Sequence, residues 1–380
     1  MRALQVQRSP IDNPFTANIC PHPKKRTSLL AKIKKAFEEF GWPSRVDCHI
    51  ADLKLFTNFF STPKHAEQLE ALNLASCEIG DQIINFLPKE IQLKELVLNN
   101  CMLTNRSAQL LQHYLSTFTT LKSFSLKHNS YSAVGIPFIL KGLSCHRNLS
   151  LLDLSHNNLD GQGLEALNDL SVTRLNLSFN PLGDAGIRHL VGTLAKPHQI
   201  EYLDLTNCAI TNEGVQALCD VLCENPLLYS LDLSTDIPAS AKETIILPNT
   251  FSSETTSSLC KLIENSVTLT YLDLSGCKLT AADLSALAES LKKNKQLETL
   301  MLVNTEVTDE VACVFANMLY ENTTLLELCL QSTKITDSGA KVLVDAIAHK
   351  ETFQLSLVRN QLSTEYKAEL EQNPRILSFK

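Results

Sequence analysis

Three cysteines, Cys208, Cys219 and Cys223, fall within one stretch, IEYLDLTNCAITNEGVQALCDVLCENP at residues 200–226. Clustered thiolates can bind zinc or act as nucleophiles. A zinc site needs four convergent ligands, commonly two C-x2-4-C pairs. This C-x3-C has no second pair and no histidine inside the stretch. The wider chain lacks the spellings G-x-G-x-x-G, G-x4-G-K-[ST], G-x-S-x-G and H-E-x-x-H, and its ten histidines are dispersed. No enzyme, metal site or cofactor is expected, so the cysteines must be explained by the elements that hold them.

Those elements repeat. The template L-x-x-L-x-L-x-x-(N/C)-x-L fits Leu69–Ile79, Leu93–Leu103, Leu149–Leu159, Ile200–Ile210, Leu269–Leu279 and Leu325–Ile335. Its second apolar position falls at Leu53, Leu72, Leu96, Phe124, Leu152, Leu175, Leu203, Leu231, Leu272, Leu300, Leu328 and Leu355, with a dominant spacing of 28 residues. About twelve copies therefore span residues 47–380, and a fixed period of this size signals a stacked array. L-x-L alternates like a short strand with its leucines turned inward. The following residues switch to helical spacing, as in Val215, Leu218 and Leu222. Thr211, Thr280, Thr308 and Thr336 precede such stripes and can cap the first helical amides. One strand and helix cannot bury their leucines alone, but stacked copies can.

The motif LYENTTLLELCLQSTKITDSGAKVL, Leu319–Leu343, resembles the ribonuclease-inhibitor type of leucine-rich repeat. The resemblance implies an α/β fold: a right-handed horseshoe solenoid with parallel strands on the concave face and helices on the convex face. It also implies a non-enzymatic protein-recognition role. Ran GTPase-activating proteins share the repeat type, so regulation of a small GTPase, or of a nucleic-acid-containing assembly, is the alternative beside a eukaryotic-type cytosolic scaffold.

Within the template, position nine is held by Asn58, Cys77, Cys101, Asn129, Asn157, Asn180, Cys208, Asp236, Cys277, Thr305, Thr333 and Asn360. Such a residue turns inward and satisfies backbone groups, because buried amides demand partners. Cys208 belongs to that ladder, Cys219 is a small packed residue, and Cys223 faces solvent. Exposed strand positions form the binding surface. Asp153, Asp204, Asp232 and Asp273 lie in its middle column, with Tyr202, Tyr229, Tyr271 and Phe179 around the later aspartates. Lys122, Lys127, His128 and Arg174 make the earlier half basic. Aromatic anchors beside carboxylates suit a protein partner. The bland alternative is that L-D-L-S merely spells the repeat, each aspartate bonded to a nearby Ser or Thr.

Residues 1–46 hold nine Lys/Arg against three Asp/Glu, while the whole chain has a net charge of −7. They read as a tail plus a basic amphipathic helix, with Leu29, Leu30, Ile33, Phe37 and Phe40 on one face, that caps the first repeat. Membrane and nucleic-acid partners are not expected, and the chain is expected to be monomeric. A 41-residue gap between Leu231 and Leu272 places an inserted loop near 239–251. Twelve scattered cysteines and no apolar leader point to a reducing, cytoplasmic setting. The tail STEYKAELEQNPRILSFK, with Glu365, Glu369 and Glu371, is similar to the C-terminal signals of bacterial type IV secreted effectors, which implies action in a host cytosol.

Overall fold

The computed structural model describes residues 69–77, 80–88, 91–236 and 248–377, together with three strands nearer the N-terminus. The expected capping helix, Leu53, Lys54, Asn58 and the apolar run Ile245–Leu247 lie outside the described residues. The chain divides into two compact units, Met1–Asn176 and Leu177–Lys380. Each is built from strand-and-helix repeats.

In the first unit, strand β1 (Gln5–Gln7) pairs antiparallel with β2 (Thr16–Ile19), and β2 pairs parallel with β3 (Arg45–Cys48). Parallel pairing continues through β4 (Ala71–Asn73), β5 (Glu95–Val97), β6 (Ser123–Ser125), β7 (Leu151–Asp153) and β8 (Arg174–Asn176). The strand beside β4 corrects the expectation of a repeat at Leu53: Val46 stands opposite Leu72. That separation of 26 residues leaves room for a full repeat, whereas 19 does not. Helices α1 (Ala108–Leu115) and α2 (Ile136–Leu143) pack side by side. The repeats that reach only 24 and 23 residues, starting at Leu72 and Leu152, make 3-10 helices at Gly80–Phe86 and Leu164–Asp169 instead. Losing four or five residues removes about one α-helical turn, so a tighter, shorter coil bridges the gap.

The second unit alternates strand and helix throughout. Strands β9 (Tyr202–Asp204), β10 (Ser230–Asp232), β11 (Tyr271–Asp273), β12 (Thr299–Met301), β13 (Glu327–Cys329) and β14 (Gln354–Ser356) are parallel and paired in order. The leucines stack opposite one another, Leu203–Leu231–Leu272–Leu300–Leu328–Leu355, and all are at most 2% exposed. Helices α3 (Gly183–Leu194), α4 (Asn212–Leu222), α5 (Ser253–Asn265), α6 (Ala281–Lys293), α7 (Asp309–Glu321), α8 (Asp337–Ile347) and α9 (Thr364–Leu370) complete it. Their apolar stripes close the core: Val215, Leu218, Leu284, Leu287, Leu291 and Leu343 are fully buried. Each such burial stabilises by roughly 1.5–3 kcal/mol relative to exposure.

The threonines expected as helix caps divide. Thr280 forms a capping box with Asp283, and Thr336 accepts from Ser338 N. Thr211 and Thr308 do not cap through their side chains. Thr211 Oγ1 donates instead to Asp184 of the preceding repeat, and Thr308 Oγ1 donates to Glu310 Oε2 at 2.6 Å. The carboxylate of Asp184 also accepts from the Thr211 and Gly214 amides, replacing the hydroxyl as acceptor and tying adjacent repeats. A Cβ at Gly214 would meet that carboxylate at 2.4 Å, which is why glycine stands there.

The tail is part of the last repeat. Ser363 caps α9, Leu370 is buried, and residue 376 forms a bridge with Leu355. Glu365, Glu369 and Glu371 are the exposed side of this closing segment, a structural reason for their spelling.

Candidate functional site

Position nine behaves as an interior ladder. Asn129 donates to the carbonyls of Leu98 and Leu126 and accepts from the amides of Cys101 and Leu103. Asn157, Asn180 and Asn360 donate to backbone carbonyls in the same manner. Cysteine and threonine supply a lesser version: Cys208 Sγ approaches Leu177 O at 3.3 Å, and Thr305 Oγ1 donates to Leu302 O at 2.7 Å. Burial holds the Cys208 and Cys219 thiols far above the ordinary range, so neither is a nucleophile. Cys223 is half-buried, and so less open than expected. Among the described residues, no group of three or more His, Cys, Asp or Glu side chains could hold a metal ion.

One ladder assignment is corrected. Asp236 is not the ladder residue of its repeat; Asn249 is. Its Nδ2 donates to Leu205 O, Leu233 O and Ser234 O, while its Oδ1 accepts from Cys208 N and Ile210 N. Asn249 is 1% exposed, and Phe251, 3% exposed, fills the next leucine position. The insertion therefore occupies residues 236–248 rather than 239–251. The chain leaves through Asp236, whose backbone bonds the Asn207 side chain, and returns directly into the ladder.

The strand surface of the second unit carries the acidic and aromatic residues. Asp204, Asp232 and Asp273 stand opposite one another on adjacent strands. Each turns one oxygen to the amide two residues on: Thr206 N at 3.0 Å, Ser234 N at 2.9 Å and Ser275 N at 2.8 Å. The L-D-L-S spelling thus has a local structural use as well as a charge. Asp273 departs from expectation: it is only 9% exposed, with Tyr271 OH 3.3 Å from its second oxygen. Burial, and then the neighbouring Asp232 charge, push its carboxyl up to about 6. Asp232 and Asp204 are the more open members of the row.

The tyrosines separate into two rows. Tyr202 and Tyr271 both stand opposite Ser230, one on each side. They lie two strands apart, about 10 Å by strand spacing, with a small hydroxyl between them. Tyr229 precedes β10 and sits outside that row, 40% exposed. Phe179 is not a strand residue either; it is half-buried in the left-handed turn after position seven, at φ 56°. Asn207, Asn304, Ser332 and Arg359 take the same turn, at φ between 52° and 59°. The period gave no sign of this row, because it is fixed by backbone shape and not by one residue type.

In the first unit, Asp153 Oδ1 bonds Ser155 N and Oγ. Lys122 and Arg174 are exposed and Lys127 is half-buried. Lys94 is engaged by Glu70, which lowers the net positive charge expected for this half. His128 occupies the left-handed turn, stacked on His156 with ring centroids 3.8 Å apart. Burial and Lys127 hold His128 below the usual imidazole range, and burial with His128 beside it takes His156 down to about 4. The sequence reading missed His156, Asn249 and the Tyr202–Ser230–Tyr271 row.

Short parallel strands, inward leucines and a polar interior ladder define a leucine-rich-repeat protein. A Leucine Rich repeat family model matches residues 67–84, 145–167, 169–191 and 197–219, and the TMOD/LMOD Leucine-rich domain model matches 251–377. The chain is of the ribonuclease-inhibitor type. It is 28% identical over 280 residues to ribonuclease inhibitor of Mus musculus, covering 70% of this chain and 58% of that protein. Against ribonuclease inhibitor of Sus scrofa it is 30% identical over 258 residues, covering 64% and 54%. It thus spans little more than half the length of these relatives. A solved structure described as "Leiomodin-1 Actin-Binding Site 2 (ABS2)" aligns at 24% identity and a TM-score of 0.24, over 26% of this chain and 61% of that one. No helix among the described residues is long and apolar enough to cross a membrane.

Proposed function

We propose that this chain is a non-enzymatic recognition module that captures a partner protein on the strand surface of its second unit. A lysine or arginine side chain of the partner lodges between Tyr202 and Tyr271, above Ser230. The observation that carries this reading is the register, which sets two tyrosines on either side of a small residue and directly beside Asp204 and Asp232. Strands β9 to β13 carry Asp204, Asp232, Asp273 and Glu327 and no Lys or Arg, so the surface complements a cation. A cation within about 6 Å of aromatic centroids is attracted by the ring faces. Ribonuclease inhibitors, whose name records a protein target, support a binding role.

The described cysteines are all free thiols, which supports work in a reducing cytosol. Delivery as an effector into a host cytosol rests on the tail glutamates, residues that the closing repeat also uses.

The test is capture of cytosolic proteins by the wild-type chain beside Tyr202→Ala/Tyr271→Ala and Asp232→Asn. Loss of an aromatic anchor of this kind costs about 2 kcal/mol or more in affinity, roughly thirtyfold. A partner whose binding weakens that far in both variants and with rising salt fits the proposal. A partner that binds all three proteins equally removes it.

A further inference from the structure

A second polar row runs along the helix-to-strand turns. In the second unit, Asn322 accepts from Leu325 N at 2.8 Å and donates to Leu291 O at 2.7 Å, and Asn294 accepts from Leu297 N at 2.7 Å. Ser266 fills the same slot, three residues before a template leucine, accepting from Leu269 N at 3.1 Å. In the first unit, the slot before Leu149 holds His146, 1% exposed. Its Nδ1 accepts from Leu121 N at 3.1 Å, and its Nε2 lies 2.9 Å from Leu115 O. The ring is thereby committed to one neutral tautomer, with the proton on Nε2. It spans the end of α1 and the start of the segment leading into β6.

An asparagine in this slot has a donor and an acceptor at every pH. An imidazole has an acceptor only while neutral; once protonated it presents two donors, and Nδ1–H faces the Leu121 N–H. We infer that His146 is a proton-operated latch, holding the α1-to-β6 turn closed while neutral and releasing it on protonation. The surroundings offer the cation little. Phe118 meets the ring edge-on at a centroid distance of 5.1 Å, and Tyr114 lies beyond Phe118 at 5.5 Å, held uncharged by burial. The Cys145 thiol is turned to the carbonyls of Phe118, Gly142 and Leu115, and Arg147, the next residue, is exposed. The groups that act on the ring's charge are the carbonyls of Leu115 and Thr119, which favour the proton, and burial, which opposes it more strongly. With the folded value below the ordinary 6.5, the latch is fully closed above that pH. Its contribution is lost as pH falls through the lowered value.

The experiment is amide hydrogen exchange on the full chain from pH 7.5 to 5.0, corrected for the intrinsic pH dependence of exchange. Protection of Leu121 is read relative to Leu325, whose amide is held by Asn322. In the wild type the ratio is expected to fall on acidification. In His146→Asn, whose side-chain donor and acceptor do not titrate, the ratio is expected to stay flat. Equal pH dependence in the two proteins overturns the inference. So does ring NMR of the wild type showing His146 titrating at or above 6.5, a readout that needs no variant.

Discussion

Replacing Asn249 by alanine removes an amide that serves five backbone groups: three carbonyls at 2.9–3.2 Å and two amides at 3.0 and 3.1 Å. A net contribution of about 1 kcal/mol per bond would give ~5 kcal/mol, and each buried group left unpaired costs about 1–3 kcal/mol. Water entering the space left by the amide recovers part, so the expected loss is about 4 kcal/mol, near the upper end for one substitution. That is roughly a thousandfold in the folding equilibrium. Asp236→Ala leaves this ladder untouched, since only the backbone of Asp236 is bonded to Asn207. Its expected cost is within about 0.5 kcal/mol, as for other surface changes. Equilibrium urea denaturation followed by far-UV circular dichroism compares the two with wild type. If Asp236→Ala proves as damaging as Asn249→Ala, or if the latter costs under about 1 kcal/mol, the placement of the insertion is wrong.

Two further outcomes follow from the same geometry. Asp273, with a folded value of about 6 against an ordinary 3.8, favours folding fully below the lower value and loses that contribution as pH rises through the upper one. Asp273→Asn should therefore stabilise at pH 7.5, by up to about 3 kcal/mol, and change little at pH 4; thermal melts at both pH values check this. Removing residues 361–380 uncovers the apolar end of the last repeat, where Leu355 and Leu357 are buried, and should lower the melting temperature. If a translocation reporter fused to the wild-type tail is delivered and the folded truncation loses delivery without losing stability, the tail acts as a signal and not as a cap.

Much of the fold was legible because leucine spacing is redundant: an error in one repeat is outvoted by its neighbours. Where a repeat is irregular, that protection fails. The 13 inserted residues were set too late because Asp236 follows Thr235 where a ladder residue belongs, although P-N-T-F-S-S-E at 248–254 spells ladder, leucine slot and helix cap. At the turn before β11 the sequence offers Asn265, but its Nδ2 bonds Lys261 O, and Ser266, one residue on, accepts from Leu269 N. For the site, the column of aspartates was readable from period alone. Their unequal exposure was not, because the burial of Asp273 depends on how Tyr271 leans along its own strand. His146 escaped notice for the opposite reason: a histidine in an asparagine slot breaks no apolar pattern.

Thr235 closes the excursion of the chain from both sides, its Oγ1 accepting from Asn249 N and donating to Asn249 O, each at 3.1 Å. The repeat is therefore clasped shut at the base, where Thr235 and Asn249 meet. Such a docking collar would tolerate a foreign peptide of different length or composition at the same point, making this repeat the natural place to graft an epitope or a protease site.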